Sequence, residues 1–387
     1  MRQLNKIALA LFPAALAAAS CGSAQTGDSA ARASASPTSG SPFSIEEVTT
    51  FEEPWAIAFE PGTRTLFVTE RPGTMKFIDL ASGRKGTVSG IPQVAYGGQG
   101  GFADLAFAPD YASSHTIYLS WAEAGEGDLR GGAVGRGTLV CEKGGDCRVD
   151  GLKVIWRQVP KTAGALQYAL RLTFSPDGKY LFVSSGDRVH IDSVQELSSN
   201  LGKIVRLLPD GSPALGNPFA DKGHPADEIW TLGHRNPLGL KFDLNGQLWD
   251  LEHGPRGGDE INRLVPGRNF GWPLVSAGDN YNGTPIPKND TRPDLDLPAI
   301  TWNPVIAPGD FIFYSGKLWP QWKNQALIAT LGTTSIVRVS LNGDKGTEEA
   351  RYKFDKRLRD IVEAADGSLY VVEDGKGARL LHLTPAK

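Results

Sequence analysis

Short apolar strands recur along the chain from Phe43 onward, several with apolar–polar alternation and several announced by turn residues. They read Thr65-Leu-Phe-Val-Thr-Glu70, Thr116-Ile-Tyr-Leu-Ser120, Tyr180-Leu-Phe-Val-Ser184, Gln247-Leu-Trp-Asp-Leu251, Ala326-Leu-Ile-Ala-Thr330 and Ser368-Leu-Tyr-Val-Val372. Pro61-Gly62, Pro176-Asp177-Gly178, Asn245-Gly246 and Asp366-Gly367 supply the turns. A second strand follows in several copies, at 74–80, 203–208, 260–265, 336–341 and 379–383. The repeated Leu or Ile stands at 66, 117, 181, 248, 327 and 369, with 42 to 79 residues between neighbours. Such spacing suits one four-stranded unit plus loops of variable length. Six copies predict an all-β fold, a six-bladed β-propeller of four-stranded antiparallel blades. A lone blade cannot cover both its faces, whereas radial stacking buries each against a neighbour. The weakly alternating stretch Ser44–Phe51 is expected to pair with the last blade and close the ring. Two β-sandwich domains would explain the repeat less well, and no long amphipathic helix follows Phe43.

Composition agrees with a turn-rich β protein. Glycine (46) and proline (26) exceed average usage among 387 residues. Lys+Arg 40 against Asp+Glu 43 leaves a formal charge of −3, which argues against a nucleic-acid partner. No apolar run reaches the roughly 20 residues of a membrane span, which excludes a multi-span transporter.

Residues 1–21 read as a secretory signal: Arg2 and Lys6, then apolar Ile7–Ala19 interrupted by Pro13, then Ala18-Ala19-Ser20 before Cys21. The end resembles a bacterial lipobox, whose cysteine is lipidated, although Ala18 stands where that pattern prefers Leu. Ordinary cleavage nearby is the alternative. Residues 22–42, rich in Ser, Ala, Gly and Thr, read as a flexible tether, so the propeller is expected over 43–387. The expectation is an exported protein, periplasmic or lipid-anchored to the bacterial envelope, touching the membrane only through that anchor. Cys141 and Cys147 bracket Glu-Lys-Gly-Gly-Asp. In an oxidising compartment they can pair across a hairpin tip; two free thiols are the alternative.

The densest chemistry lies between the fourth and fifth copies. Thr231-Leu-Gly-His-Arg-Asn-Pro-Leu-Gly239 is followed by Leu248-Trp-Asp-Leu-Glu-His-Gly-Pro-Arg-Gly-Gly-Asp-Glu-Ile-Asn262 and Gly267-Arg-Asn-Phe-Gly-Trp-Pro273. So many Gly, Pro and charged residues mark loops suited to a polar or anionic ligand, with Arg235 able to grip a carboxylate in paired fashion. Together these motifs resemble the soluble quinoprotein sugar dehydrogenases, the pyrroloquinoline quinone (PQQ)-dependent aldose and glucose/sorbosone dehydrogenases. The resemblance runs from about Glu53 to Leu383. It includes Pro54-Trp-Ala-Ile-Ala-Phe59, Gly98-Gln-Gly-Gly101, Leu105-Ala-Phe-Ala-Pro-Asp110, Gly202-Lys-Ile-Val-Arg206 and Arg357-Leu-Arg-Asp360. The family is six-bladed. The resemblance implies that Arg235 and Asn236 contact the quinone and that Arg357 and Arg359 bind its carboxylates. The backbone carbonyls of Gly254 and Pro255 would hold a bridging Ca²⁺, for which carbonyl oxygens are suitable hard ligands. Gln99 would lie beside the substrate. Asp259 and Glu260 either help a second Ca²⁺ site or cap the loop.

The chain departs from the family at two positions. In the run Leu166-Gln-Tyr-Ala-Leu-Arg171, Gln167 occupies the place of the family's base histidine, which takes the sugar C1 hydroxyl proton as hydride moves to the quinone. Leu166 stands where one branch has an acidic partner. A neutral amide is not a useful proton acceptor near pH 7, and a positioned base is typically worth 10²–10⁴-fold. Gly332 replaces a lysine common in the family. His190 is the nearest replacement base by sequence, although a solvated loop histidine is the plainer reading. His253 belongs to the motif, His234 reads as structural, and His115, His224 and His382 as surface or packing residues. Trp230, Trp249 and Trp272 read as propeller core.

Three functional readings are open. The resemblance implies a Ca²⁺- and PQQ-dependent oxidoreductase acting on an aldose or related alcohol, with altered or weak activity, that passes electrons to an unidentified acceptor. Alternatively the chain is a catalytically degenerate propeller that binds a sugar or other ligand. A metal-dependent lactonase would want a central carboxylate cluster on Ca²⁺, and no such arrangement stands outside the family motif.

Overall fold

A computed structural model describes residues 40–386; the expected leader and most of the tether lie outside them. The described chain is almost entirely strand, and its α-helix, Tyr111–Ser114, is a single turn. Six strands of equal length carry the architecture: Pro54–Phe59, Phe102–Phe107, Ala169–Phe174, Pro237–Phe242, Pro308–Phe313 and Leu358–Glu363. Each packs beside the next, and the last packs beside the first, so these inner strands close a ring. The first four residues of each are buried. They face neighbours on both sides, so they lack the alternation of a one-sided strand.

Every repeat strand read from the sequence is the second strand of its unit. Thr65–Glu70 and Ala326–Thr330 have the expected ends, and the others differ by a residue or a few. The second strands pair antiparallel with the inner ones. Four sheets are four-stranded, as expected of blades. The fifth has eight strands and departs from the uniform pattern. Its two antiparallel halves meet at Val88↔Cys147 and Ser89↔Arg148, a short parallel pairing. The cause is a long hairpin, Arg130–Cys141 with Cys147–Arg157, whose tip overreaches its own sheet. The tip satisfies backbone groups on the neighbouring edge strand Lys85–Ser89, and Asp146 there accepts the Thr87 N–H at 2.8 Å.

Cys141 and Cys147 form a disulfide across that tip. Replacing both with serine is expected to lower the unfolding free energy by about 2 kcal/mol, the loop-closure value for so short a loop. A urea midpoint measured with and without the pair checks this.

The strand Phe43–Phe51 pairs antiparallel with Ala378–Pro385 and so completes the sheet that also contains Leu369–Glu373 and Leu358–Glu363. Phe43 anchors the closure: it is buried edge-on against Trp319, Trp322 and Tyr352.

Candidate functional site

Each inner strand pairs irregularly at its first residues, with register shifts at Pro54/Ala56, Phe102/Leu105, Ala169/Leu172, Pro237/Gly239, Pro308/Asp310 and Leu358/Asp360. A bulge turns a side chain out of the pleat. The bulged residues Trp55, Ala103, Leu170, Leu238 and Arg359 accordingly line one cavity of about 200 Å³ at that end of the ring. Gln99, Asn236 and Arg357 join it, so four of the residues singled out in the sequence converge there. Arg71, Tyr168, His253, Leu331 and Asp374 complete the wall.

The arginines are not free. Arg357 Nε lies 2.9 Å from Asp374, and Arg359 donates to the same carboxylate at 2.6 and 2.9 Å. Burial works against the Asp374 carboxylate, but Arg359, Arg357 and Arg71 hold its pKa below the usual range. Three guanidinium groups thus share Asp374, with Glu53 3.9 Å from Arg71. The mouth keeps net positive charge. Arg71 Nε, Arg235 Nε and the Asn236 side-chain oxygen are buried without a hydrogen-bond partner among the described residues. Buried polar groups rarely remain so, which points to a ligand that completes them.

Gln167 lies beside this cavity without lining it. Its backbone N–H donates to Gln99 Oε1 at 2.7 Å. With its amide oxygen toward Arg235, the side chain accepts from Arg235 Nη2 at 2.7 Å and donates to Asp187. Asp187 is fully buried and also accepts from Trp272 Nε1 and the Val189 N–H, each at 2.8 Å. Burial pushes its pKa up. Arg235 donates further to the His253 carbonyl at 3.1 Å and to the Tyr281 hydroxyl at 3.3 Å. Gln167, Ala169, Leu170, Arg188 and Val189 all have positive φ. These conformations are strained for non-glycine residues and are held by the surroundings. Arg188 does much of the holding: buried, it donates to the carbonyls of Leu166, Arg130 and Gly164 and stacks on Tyr168.

Gly254 and Pro255 face two further spaces. One is a cavity of about 640 Å³ shared with Arg256, Asp279, Tyr281 and Asn303. The other is a void of about 10 Å³, the size of one small ion or water, also lined by Arg235, Glu252 and Glu260. Glu260 is buried and accepts a hydrogen bond from Asn262 Nδ2 at 3.1 Å. Burial, reinforced by Glu252, raises its pKa well above the ordinary range. Its neighbour Asp259 plays the capping part instead, accepting from the Gly254 N–H at 3.0 Å and the Ala307 N–H at 2.6 Å. His253 touches all three spaces and bonds the Pro308 carbonyl at 2.6 Å. Its burial lowers its pKa, which keeps the ring neutral.

Behind the void, His234 is fully buried between Thr231 at 2.8 Å and the carboxylates of Asp250 and Glu252 at 3.0 and 3.1 Å. Glu252 in turn accepts the backbone N–H of Arg235 at 2.6 Å, which fixes the start of the Arg-Asn-Pro loop. Burial alone would depress the His234 pKa; Asp250 and Glu252 overcome it and raise it to about 10. A group whose pKa is raised on folding contributes its full stability below the unfolded value and loses it as pH climbs through the folded one. The His234 contribution is therefore lost between pH 6.5 and about 10, and His234→Gln is expected to cost more stability at pH 6 than at pH 10. Urea titrations across the range check it.

The other histidines stay outside the chemistry. His190 is exposed, with its ring 3.4 Å from the Ala163 carbonyl. His115 ends the short helix, His224 faces Asp227 and Glu228, and His382 stacks on Tyr370. Trp249 is core as expected, but Trp272 is a site residue through Asp187. Asp187, Arg71, Asp374 and Tyr281 escaped the sequence reading. Their only signal was position in polar loops, such as Gly186-Asp187-Arg188.

The glucose/sorbosone dehydrogenase family model matches residues 51–382. The aldose sugar dehydrogenase YliI of Escherichia coli is 37% identical over 340 residues, covering 86% of this chain and 90% of that protein. The apo crystal structure of the soluble E. coli aldose sugar dehydrogenase superposes with TM-score 0.84 at 35% identity, over 89% of this chain and all of that one. The PQQ-bound aldose sugar dehydrogenase of Streptomyces coelicolor gives TM-score 0.71 at 27% identity, over 90% of this chain and 99% of that one. Motifs, ring of strands and relatives agree: this chain belongs to the glucose/sorbosone dehydrogenase family, the soluble PQQ-dependent sugar dehydrogenases.

Proposed function

We propose that this protein is a Ca²⁺- and PQQ-dependent oxidoreductase that oxidises an aldose or related alcohol at C1, with proton removal weakened at Gln167. The observation that carries the reading is the cationic cavity, where Arg71, Arg357 and Arg359 outnumber the lining acid Asp374 and the nearby Glu53, beside the unpartnered Asn236 oxygen. A planar tricarboxylate suits those groups. Arg357, Arg359, Arg235 and Asn236 would hold the quinone, and the carbonyls of Gly254 and Pro255 with the Glu260 carboxylate would hold Ca²⁺, a reading supported by the ion-sized void that these residues line. Bound PQQ supplies the two-electron acceptor for the sugar's hydride. Gln99, tied to the Gln167 backbone, orients the sugar. Gln167 itself offers hydrogen bonds but no basic atom. The eight-stranded sheet is read as two blades joined at their outer edges, giving six around the axis. The disulfide favours an exported location, with Cys21 as lipid anchor. The electron acceptor is a separate partner, and nucleic acid is not one.

Titration with PQQ in Ca²⁺, followed by dye reduction with a panel of aldoses, tests the reading. PQQ is expected to bind, binding is expected to weaken at least tenfold after EDTA treatment, and turnover is expected to be slow. Failure to bind PQQ would overturn it. A second reading, a ligand-binding propeller without catalysis, is favoured by Gln167 and by the way its amide is fully used between Asp187 and Arg235. Tight PQQ or sugar binding with no turnover would select it.

A further inference from the structure

The largest of these spaces, about 640 Å³, adjoins the cationic cavity through His253 yet contains groups that the reading above leaves unused. Arg256 is exposed, and its guanidinium makes no hydrogen bond or ion pair with any described residue. The acids nearby are already engaged. Asp279 pairs with Lys288 at 3.0 Å, and Asp259 accepts two backbone N–H groups. Tyr281 is 73% exposed, with its hydroxyl 3.3 Å from Arg235. Its carrier is not slack. Arg256 and Asp279 exchange backbone hydrogen bonds at 3.0 Å in both directions, and Asn280 and Thr284 close the turn through backbone and side chains. Asn303 adds an amide on the same wall. A stiff turn thus presents an aromatic face to water beside an unmatched cation.

We propose that this cavity is a second sugar subsite, one that takes a carboxylated glycosyl unit attached to the aldose being oxidised. The inference rests on the proposed oxidation of an aldose in the adjoining cavity. Tyr281 offers its ring to the apolar C–H face of a pyranose, Asn303 offers hydrogen bonds, and Arg256 meets the carboxylate of a uronic acid. A guanidinium recognises such a group through a paired, charge-assisted contact. An exposed pair gains modestly and is screened by salt, so its signature is selectivity of limited size with strong salt dependence.

The test uses PQQ- and Ca²⁺-loaded protein and methyl glycosides, whose blocked anomeric hydroxyl prevents turnover. Calorimetry compares a neutral disaccharide with the same-linked disaccharide carrying a glucuronosyl unit at its non-reducing end. The acidic disaccharide is expected to bind about threefold to fivefold more tightly at low ionic strength. That ratio should shrink in 0.5 M salt and approach one in Arg256→Gln, with Arg256→Lys intermediate. Tyr281→Ala should weaken both ligands several-fold. Equal affinities in the unaltered protein, or an unchanged ratio in Arg256→Gln, would overturn the proposal. So would a loss of PQQ loading in Arg256→Gln, because the guanidinium would then serve the cofactor. If methyl glucoside binds but the ratio is one, only the subsite fails; if no sugar binds, the aldose reading fails with it.

Discussion

Gln167→His should raise aldose turnover of the PQQ- and Ca²⁺-loaded protein by about 10²-fold or more. The surroundings of residue 167 already suit a base. The Gln167 amide nitrogen faces Asp187, a buried carboxylate fixed by Trp272 and the Val189 N–H. An imidazole there would donate one ring N–H to Asp187 and keep its other nitrogen free to accept a proton, the arrangement that fixes tautomer and orientation together. The positive φ of residue 167 is no obstacle, since histidine is among the residues enriched in that region. Asp187→Asn in the Gln167→His background should remove most of the gain. Restoring a lysine at 332 is not a useful companion change. A Cβ on Gly332 would lie 2.9 Å from the Ile306 carbonyl oxygen and 2.9 Å from Ala307 Cβ, so Gly332→Lys must displace backbone. Steady-state rates with a dye acceptor, measured alongside PQQ affinity, decide the matter. Fast aldose oxidation by the unaltered protein, insensitive to changing His190, would show that a missing base is not what limits it. No response to Gln167→His despite PQQ binding would favour a propeller committed to binding.

Removing Arg171 should cost about 3–5 kcal/mol of stability, the range for a buried ion network that loses one partner. Each of the six inner strands contributes at least one residue to this buried group, Arg171 included. Arg171 is 1% exposed and lies 3.5 Å from Asp104, 3.5 Å from Asp310 and 3.6 Å from Asp360. It also donates to the carbonyls of Leu238 and Gly309 and lies 4.0 Å from the Trp55 ring centre. Lys241 meets Asp310 at 2.9 Å. Burial pushes the Asp360 pKa up to about 8 even with Arg171 nearby, so three acids without the guanidinium cannot all stay ionised at neutral pH. Arg171→Met should therefore lower the urea midpoint more at pH 8 than at pH 5, where protons replace the lost cation. Asp310→Asn in the same chain should recover part of the loss. A cost below about 1 kcal/mol would mean that the ring closes on apolar packing alone.

The second strand of each unit was legible because it combines a short apolar run with a turn before it. Such local signals need no partner to be read. The inner strands were harder. Asp104, Arg171, Asp310 and Asp360 sit in strands buried on both faces, which by local rules argues against burial, and only closure of the ring brings their charges together. The eight-stranded sheet depends likewise on a hairpin tip meeting a distant edge. In the site, the loop motifs named Gln99, Asn236, Arg357 and Arg359, and these converge on one cavity. Gln167 was visible in the sequence, but not that its amide spans Asp187 and Arg235, 20 and 68 positions away. Sequence thus determined the repeat, the family motifs and the neutral amide at 167. The tertiary structure decided which charges neutralise one another, because bulges in six separated strands and distant loops set those distances, and no local pattern encodes them.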